Sequence, residues 1–99
     1  VTEHLDEVAA TVFRALGHPT RVWLVRRLAQ GESCVCDLLR ELTIDQPLLS
    51  QHLQVMRRSG ILQARRDGNR MLYSLTRPEY ALIVAALDQG MSLPLATAT

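Results

Sequence analysis

Cys34-Val35-Cys36-Asp37 concentrates chemistry into four positions: two thiols separated by one residue, followed at once by a carboxylate. Thiolates capture thiophilic metal and metalloid ions, and they also oxidise. Geometry restricts how such a pair cooperates. On an ideal helix, residues two apart point to nearly opposite sides, whereas in extended backbone they share a face. A strand running into a helix therefore suits chelation by Cys34 and Cys36, and a helix start lowers a thiol pKa toward the thiolate. Asp37 either caps that helix, adds a weak oxygen ligand, or does neither. The alternative for both cysteines is packing, as small apolar residues in the core. A disulfide between them would close a tiny loop and staple nothing, so the chain reads as reduced and cytoplasmic.

A second candidate metal site is Glu3, His4 and Glu7, which share one face of the first helix. That oxygen and nitrogen set suits nickel, cobalt or zinc, and its alternative is plain solvated surface. His18, just before Pro19, reads as a helix cap or a local hydrogen-bond partner.

The charges point to a different partner. From Gln46 to Arg77 there are six arginines against one acid, Asp67, while the rest of the chain holds five arginines and nine acids. One part attracts phosphate and the other repels it. Gln46, Ser50, Gln51, Gln54, Arg57 and Arg58 lie off the apolar stripe of Leu49, Leu53 and Met56. Glutamine pairs with adenine through two hydrogen bonds, and serine serves base or phosphate. His52 neighbours the stripe and either touches phosphate or packs. Arg65, Arg66 and Arg70 belong to a hairpin that would lie along the DNA backbone or minor groove, adding salt-sensitive affinity. The competing reading is a solvated surface, or a protein-interaction module that does not read DNA. An enzyme is not indicated: there is no glycine-rich phosphate loop and no catalytic histidine–cysteine pair.

These groups need a frame, and local signals supply one. Leu5, Val8, Ala9, Val12, Phe13 and Leu16 recur at helical spacing up to Gly17. Pro19 starts a second helix with Val22, Trp23, Val25, Leu28 and Ala29 on its apolar side. Ser33 to Val35 is strand-like and leads into a helix from Asp37 to Leu42. Asp45 caps the next helix, Gln46 to about Arg58, with Pro47 in its first turn. Two strands, 61–66 and 70–75, flank Asp67-Gly68-Asn69, a strong hairpin turn. Thr76 caps a fifth helix from Arg77 to about Gln89, apolar on almost every side through Tyr80, Leu82, Ile83, Val84, Ala85, Ala86 and Leu87. Such a helix needs cover on several sides.

The fold class is thus mainly α with a small β-hairpin, in the order α-α-β-α-α-β-β-α: a winged helix-turn-helix. Ninety-nine residues fit one domain, here 1–89, with 90–99 as a flexible tail. A chain this small struggles to bury its apolar surface alone, so a homodimer through the first and last helices is expected. Two recognition helices about one DNA turn apart would then meet a near-palindromic double-stranded operator. No apolar run reaches the length of a membrane span and the start lacks a basic signal-peptide head, so no membrane association is expected.

Three motifs in order carry a family resemblance: Leu16-Gly17-His18-Pro19-Thr20-Arg21, then Cys34-Val35-Cys36-Asp37-Leu38, then Gln46-Pro47-Leu48-Leu49-Ser50-Gln51-His52-Leu53. With Gly60-Ile61-Leu62 and the arginine-rich hairpin they resemble the ArsR/SmtB family of metal-responsive repressors, over residues 5 to about 88. The resemblance implies a homodimeric repressor that binds its operator when metal-free and lets go when metal arrives. It also implies thiolate sensing of an arsenite, antimonite, cadmium, lead or zinc class ion at Cys34 and Cys36. The family's thiolate sensors carry a third cysteine where this chain has Leu39, which leaves a trigonal arsenic site one ligand short. Asp45 and Leu48 stand where the family often has serine and a small hydroxyl residue. The last helix holds Glu79 and Asp88 but no histidine, so the family's last-helix metal site is not expected here.

Overall fold

A computed structural model of the chain describes the backbone of residues 2–98 and the side chains of residues 3–89. Five helices and three strands follow in the order α1 (Thr2–Ala15), α2 (Pro19–Leu28), β1 (Ser33–Cys34), α3 (Val35–Glu41), α4 (Gln46–Arg58), β2 (Leu62–Asp67), β3 (Arg70–Leu75) and α5 (Glu79–Ala98). This is the expected winged helix-turn-helix order.

Local caps set the boundaries. His18 Nδ1 accepts from the Thr20 N–H at 3.1 Å and starts α2. Asp45 Oδ1 accepts from the Leu48 N–H at 2.9 Å and starts α4, the capping role expected from the sequence. Gly68, at φ 62°, takes the first turn position of the hairpin, and Asp67 pairs with Arg70 across it. Glycine meets that conformation without a Cβ clash.

The three strands form one antiparallel sheet in the order β1-β3-β2. Cys34 is opposite Leu72 and Ser33 opposite Tyr73, which ties the cysteine segment to the wing. The core lies where α2, α3, α4 and the base of the wing converge. Leu24, Val25, Leu38, Leu49, Met56 and Ile61 have no solvent exposure. On the far side Leu5, Phe13, Leu82 and Leu87 are 62%, 61%, 66% and 55% exposed. Helices α1 and α5 therefore each present an apolar face that this chain alone leaves uncovered.

Several sequence expectations shift. Helix α3 opens at Val35 rather than Asp37, placing Cys36 inside its first turn. Thr76 does not cap α5: its hydroxyl donates to the Gly60 and Ile61 carbonyls at 2.6 and 3.1 Å, and the helix begins three residues later. Those two carbonyls end the loop after α4 and compete successfully for the hydroxyl. Helix α5 continues past Gln89 to Ala98.

Candidate nucleic-acid interface and thiol site

Helix α4 buries Leu49, His52, Leu53 and Met56 and turns its other polar residues outward. Gln46, Ser50, Gln51, Gln54, Arg57 and Arg58 are all exposed, and the periodicity that buried the stripe is what gathers them on the open face. His52 does not join them. It is 5% exposed, and its Nδ1 accepts from Arg21 Nε at 3.1 Å. Burial removes it from the phosphate-contacting set and makes it an internal strut. Arg21 also donates to the Ala15 carbonyl at 3.0 Å, so one guanidinium links the end of α1 to the recognition helix. The His18 ring lies 4.4 Å from that of His52, and His52 Nε2 is buried with no hydrogen-bond partner. Burial, then the charges of His18 and Arg21, push the His52 pKa down, which keeps Nδ1 free to accept.

The arginines of α4 and the wing divide into two groups. Arg65 grips Glu32 through two hydrogen bonds, the longer at 3.0 Å, and this contact holds the Glu32 carboxyl below the usual carboxylate range. Arg70 pairs with Asp67 at 3.2 Å. Arg57, Arg58 and Arg66 are exposed, and among the described residues none of them makes an ion pair. Their charge is available to phosphate without displacing an acid. Glu32→Gln frees Arg65, and the expected result is tighter, more salt-sensitive DNA binding. The slope of log K against log salt should steepen by about 0.9 per protomer. A fluorescence-anisotropy titration from low to high salt reads it, and an unchanged slope means Arg65 never reaches a phosphate.

The structure places Cys34 and Cys36 in disulfide geometry, where the sequence expects two free thiols. Cys34 is extended at φ −80°, ψ 161° and caps α3, so the chain turns between the two residues and brings their Cα atoms to 5.4 Å. That separation lies within the usual range for a disulfide. Cys34 is 3% exposed and its Sγ accepts from the Asp37 N–H at 3.4 Å, whereas Cys36 faces solvent. Asp37 is also bonded to Arg40, at 2.9 Å. A cleft of about 250 Å³ is lined by Cys34, Val35, Cys36, Gln46, Asn69, Arg70 and Met71. The sulfur pair thus shares one cavity with the first residue of the recognition helix and the tip of the wing.

Among the described residues, Cys34, Cys36 and Asp37 are the set of potential ligands that converges, their donor atoms lying within 4.8 Å of one another. Glu3, His4 and Glu7 are exposed on α1 and do not converge in the single chain.

A family model described as "Bacterial regulatory protein, arsR family" matches residues 18–64. An HTH-type transcriptional regulator of Methanocaldococcus jannaschii is 36% identical over 84 residues, covering 84% of this chain and 94% of that protein. The chain belongs to the arsR family. Membership makes it a DNA-binding transcriptional regulator rather than an enzyme. The biofilm growth-associated repressor of Xylella fastidiosa is 42% identical over 78 residues, spanning 79% of this chain and 68% of that protein. The solution structure of a homodimeric winged helix-turn-helix domain from Mycobacterium bovis, a possible ArsR-family regulator, superposes with a TM-score of 0.85 at 26% identity. It covers 95% of this chain and 87% of that one. No described helix is long and apolar enough to cross a membrane.

Sequence reasoning missed Arg21 and Glu32. Arg21 was detectable in principle, because it shares a helical face with Leu24, Val25 and Leu28, the buried side of α2. An arginine on such a face needs internal acceptors. Glu32 carries no comparable local mark.

Proposed function

We propose that this arsR-family regulator is a homodimeric repressor whose grip on operator DNA loosens when the reduced Cys34/Cys36 pair captures a thiophilic metal or metalloid ion. The observation that carries the reading is the shared cleft: Cys34 and Cys36 line it together with Gln46 of α4 and Asn69 and Arg70 of the wing. Strand pairing of Cys34 with Leu72 adds a second mechanical link to the wing. The uncovered faces of α1 and α5 support the twofold body, which carries two exposed α4 helices toward successive major grooves. Gln46, Ser50, Gln51 and Gln54 face base edges, and Arg57, Arg58 and Arg66 meet phosphate.

The ion requires free thiolates. Two electrons and two protons from a dithiol reductant convert the Cys34–Cys36 bond to two thiols, and ion binding then displaces their protons. A bound ion holds the junction between β1 and α3 in the geometry it prefers. By linkage, it weakens DNA binding by the factor that DNA weakens ion binding.

The test uses duplex DNA selected by the protein from a random library, titrated with reduced protein and with cadmium, zinc, lead, arsenite, antimonite, nickel or cobalt. A thiophilic ion should lower DNA affinity five- to 150-fold, equivalent to about 1–3 kcal/mol of coupling. The double variant Cys34→Ser/Cys36→Ser should bind DNA as before and fail to let go. Release of the double variant at the same ion concentration would place the sensor elsewhere.

The disulfide favours a second reading, in which oxidation is itself the signal. Two thiols lose two electrons and two protons to a peroxide or disulfide oxidant, closing the bond seen between Cys34 and Cys36. Metal-free oxidised and reduced protein compared on the same duplex decide it: equal affinities exclude the redox input.

A further inference from the structure

We infer that the cleft where α1, α2 and the end of α4 meet binds a small, free, phosphate-bearing anion, and that this anion opposes DNA binding by engaging Arg58. The site is separate from the cysteine pair. Its effect on DNA rests on the proposed role of α4 as the recognition helix.

The cleft, of about 370 Å³, gathers three guanidiniums: Arg14 from the last turn of α1, Arg21 from α2 and Arg58 from the last turn of α4. No carboxylate lines it. Three like charges around one recess repel each other, and an anion seated among them removes that cost. Arginines at helix ends have an ordinary role, as partners for the last carbonyls. That role accounts for Arg21, which donates to the Ala15 carbonyl at 3.0 Å. It does not account for the other two. Arg14 donates to the Thr11 hydroxyl at 3.3 Å, and Arg58 makes no ion pair among the described residues.

Arg21 is held from two sides, by the Ala15 carbonyl and by His52, so it loses little freedom when a ligand arrives. Ala15 and Val55 add an apolar part to the lining, which thins the water around the charges and strengthens their pull. The Thr11 and Ser59 hydroxyls already donate to the Glu7 and Met56 carbonyls, so recognition falls to the guanidiniums. Guanidinium forks match phosphate oxygens, and the volume suits a small molecule. Thr11 and Arg14, one turn apart, share a flank of α1 that differs from the exposed Leu5 and Phe13 face. A partner protomer covering that face leaves the cleft open.

Position favours a free anion over the DNA backbone. The cleft lies at the end of α4, about 18 Å along the helix from Gln46, where base edges are met. A recess surrounds a small ion, whereas a duplex backbone meets projecting side chains such as Arg57 and Arg66. Yet Val55 and Arg58 also line the neighbouring groove with Ser50, Gln51 and Gln54. An anion in the cleft therefore draws Arg58 from the DNA-reading face and sets negative charge beside it.

The experiment is a calorimetric titration of the full chain with inorganic phosphate and pyrophosphate, in metal-free buffer at fixed ionic strength. Wild type is compared with Arg14→Gln and Arg14→Lys, each checked by circular dichroism. Wild type should bind pyrophosphate saturably, one per protomer. Arg14→Gln should bind it about tenfold more weakly, with Arg14→Lys between, since lysine keeps the charge and loses the fork. Without anion, both variants should bind the selected duplex as wild type does. Saturating pyrophosphate should lower the duplex affinity of wild type at least fivefold and that of Arg14→Gln far less. No saturable binding, or equal binding by wild type and Arg14→Gln, overturns the site. Weaker anion-free DNA binding by Arg14→Gln, with a salt slope shallower by about 0.9 per protomer, assigns the cleft to the DNA backbone and overturns the free-anion reading. Pyrophosphate binding that Arg14→Gln loses, with no effect on DNA in wild type, overturns the coupling through Arg58 and leaves the anion site standing.

Discussion

Replacing Arg57, Arg58 and Arg66 together by glutamine is expected to lower DNA affinity roughly a hundredfold for each half-site at about 0.15 M salt, and to flatten the salt dependence. Each lost phosphate contact removes about 0.9 from the slope of log K against log salt, so about 2.7 is lost per protomer. The reasoning rests on what these side chains do not touch. All three are exposed, and among the described residues none has an acidic partner. Removing them leaves the folded state nearly unchanged, and surface substitutions of this kind usually shift stability by under about 0.5 kcal/mol. Arg65→Gln and Arg70→Gln give the contrast. Those arginines are already engaged by Glu32 and Asp67, so reaching phosphate means surrendering an existing pair. Their removal should weaken binding by less per residue. Anisotropy titrations at several salt concentrations rank the five positions; a larger effect from Arg65 or Arg70 than from Arg57, Arg58 or Arg66 reverses the argument.

Arg21→Ala should lower the unfolding free energy by about 2–4 kcal/mol, a large fraction of a small domain's stability. Two acceptors lose their donor at once: the Ala15 carbonyl and His52 Nδ1. Since His52 is buried on the recognition helix, water cannot readily replace the guanidinium there. The loss should appear in urea denaturation, with Arg21→Lys intermediate because an ammonium reaches one acceptor but not the fork.

The same cluster predicts a pH dependence with a definite sign. Burial first, and the neighbouring His18 and Arg21 second, depress the His52 pKa, so the unfolded chain takes up this proton before the folded one does. Stability is therefore undiminished above about pH 6.5, the ordinary histidine value, and declines as pH falls below it toward the depressed folded value. His52→Gln, which keeps an acceptor for Arg21, should flatten that decline between pH 7.5 and pH 5.5. If the variant falls as steeply as wild type, the acid-sensitive group is another one.

The element order was legible because each boundary has a local cause. Pro19 with His18, Asp45 with Pro47, and Gly68 at the wing tip act within a few residues of themselves, and the structure uses all of them. The outward face of α4 was legible for the same reason, since helical periodicity separates Leu49, Leu53 and Met56 from Gln51 and Gln54. Where local reasoning failed or left two readings open, a competing partner lay nearby in space. Thr76 was drawn to the Gly60 and Ile61 carbonyls, and His52 was drawn inward to Arg21.

From residue types and spacing alone came the helices, the wing, the basic segment and a sulfur pair at a strand-to-helix junction, all properties set by interactions along the chain. Packing decided the rest: which arginines are free and which are held, that His52 is a strut, and that the sulfurs join each other beside Gln46 and Arg70. The pairs Arg21–His52 and Glu32–Arg65 span 31 and 33 residues. Contacts of that range exist only after the core has brought α2, α4 and the wing together, because no local backbone preference encodes them.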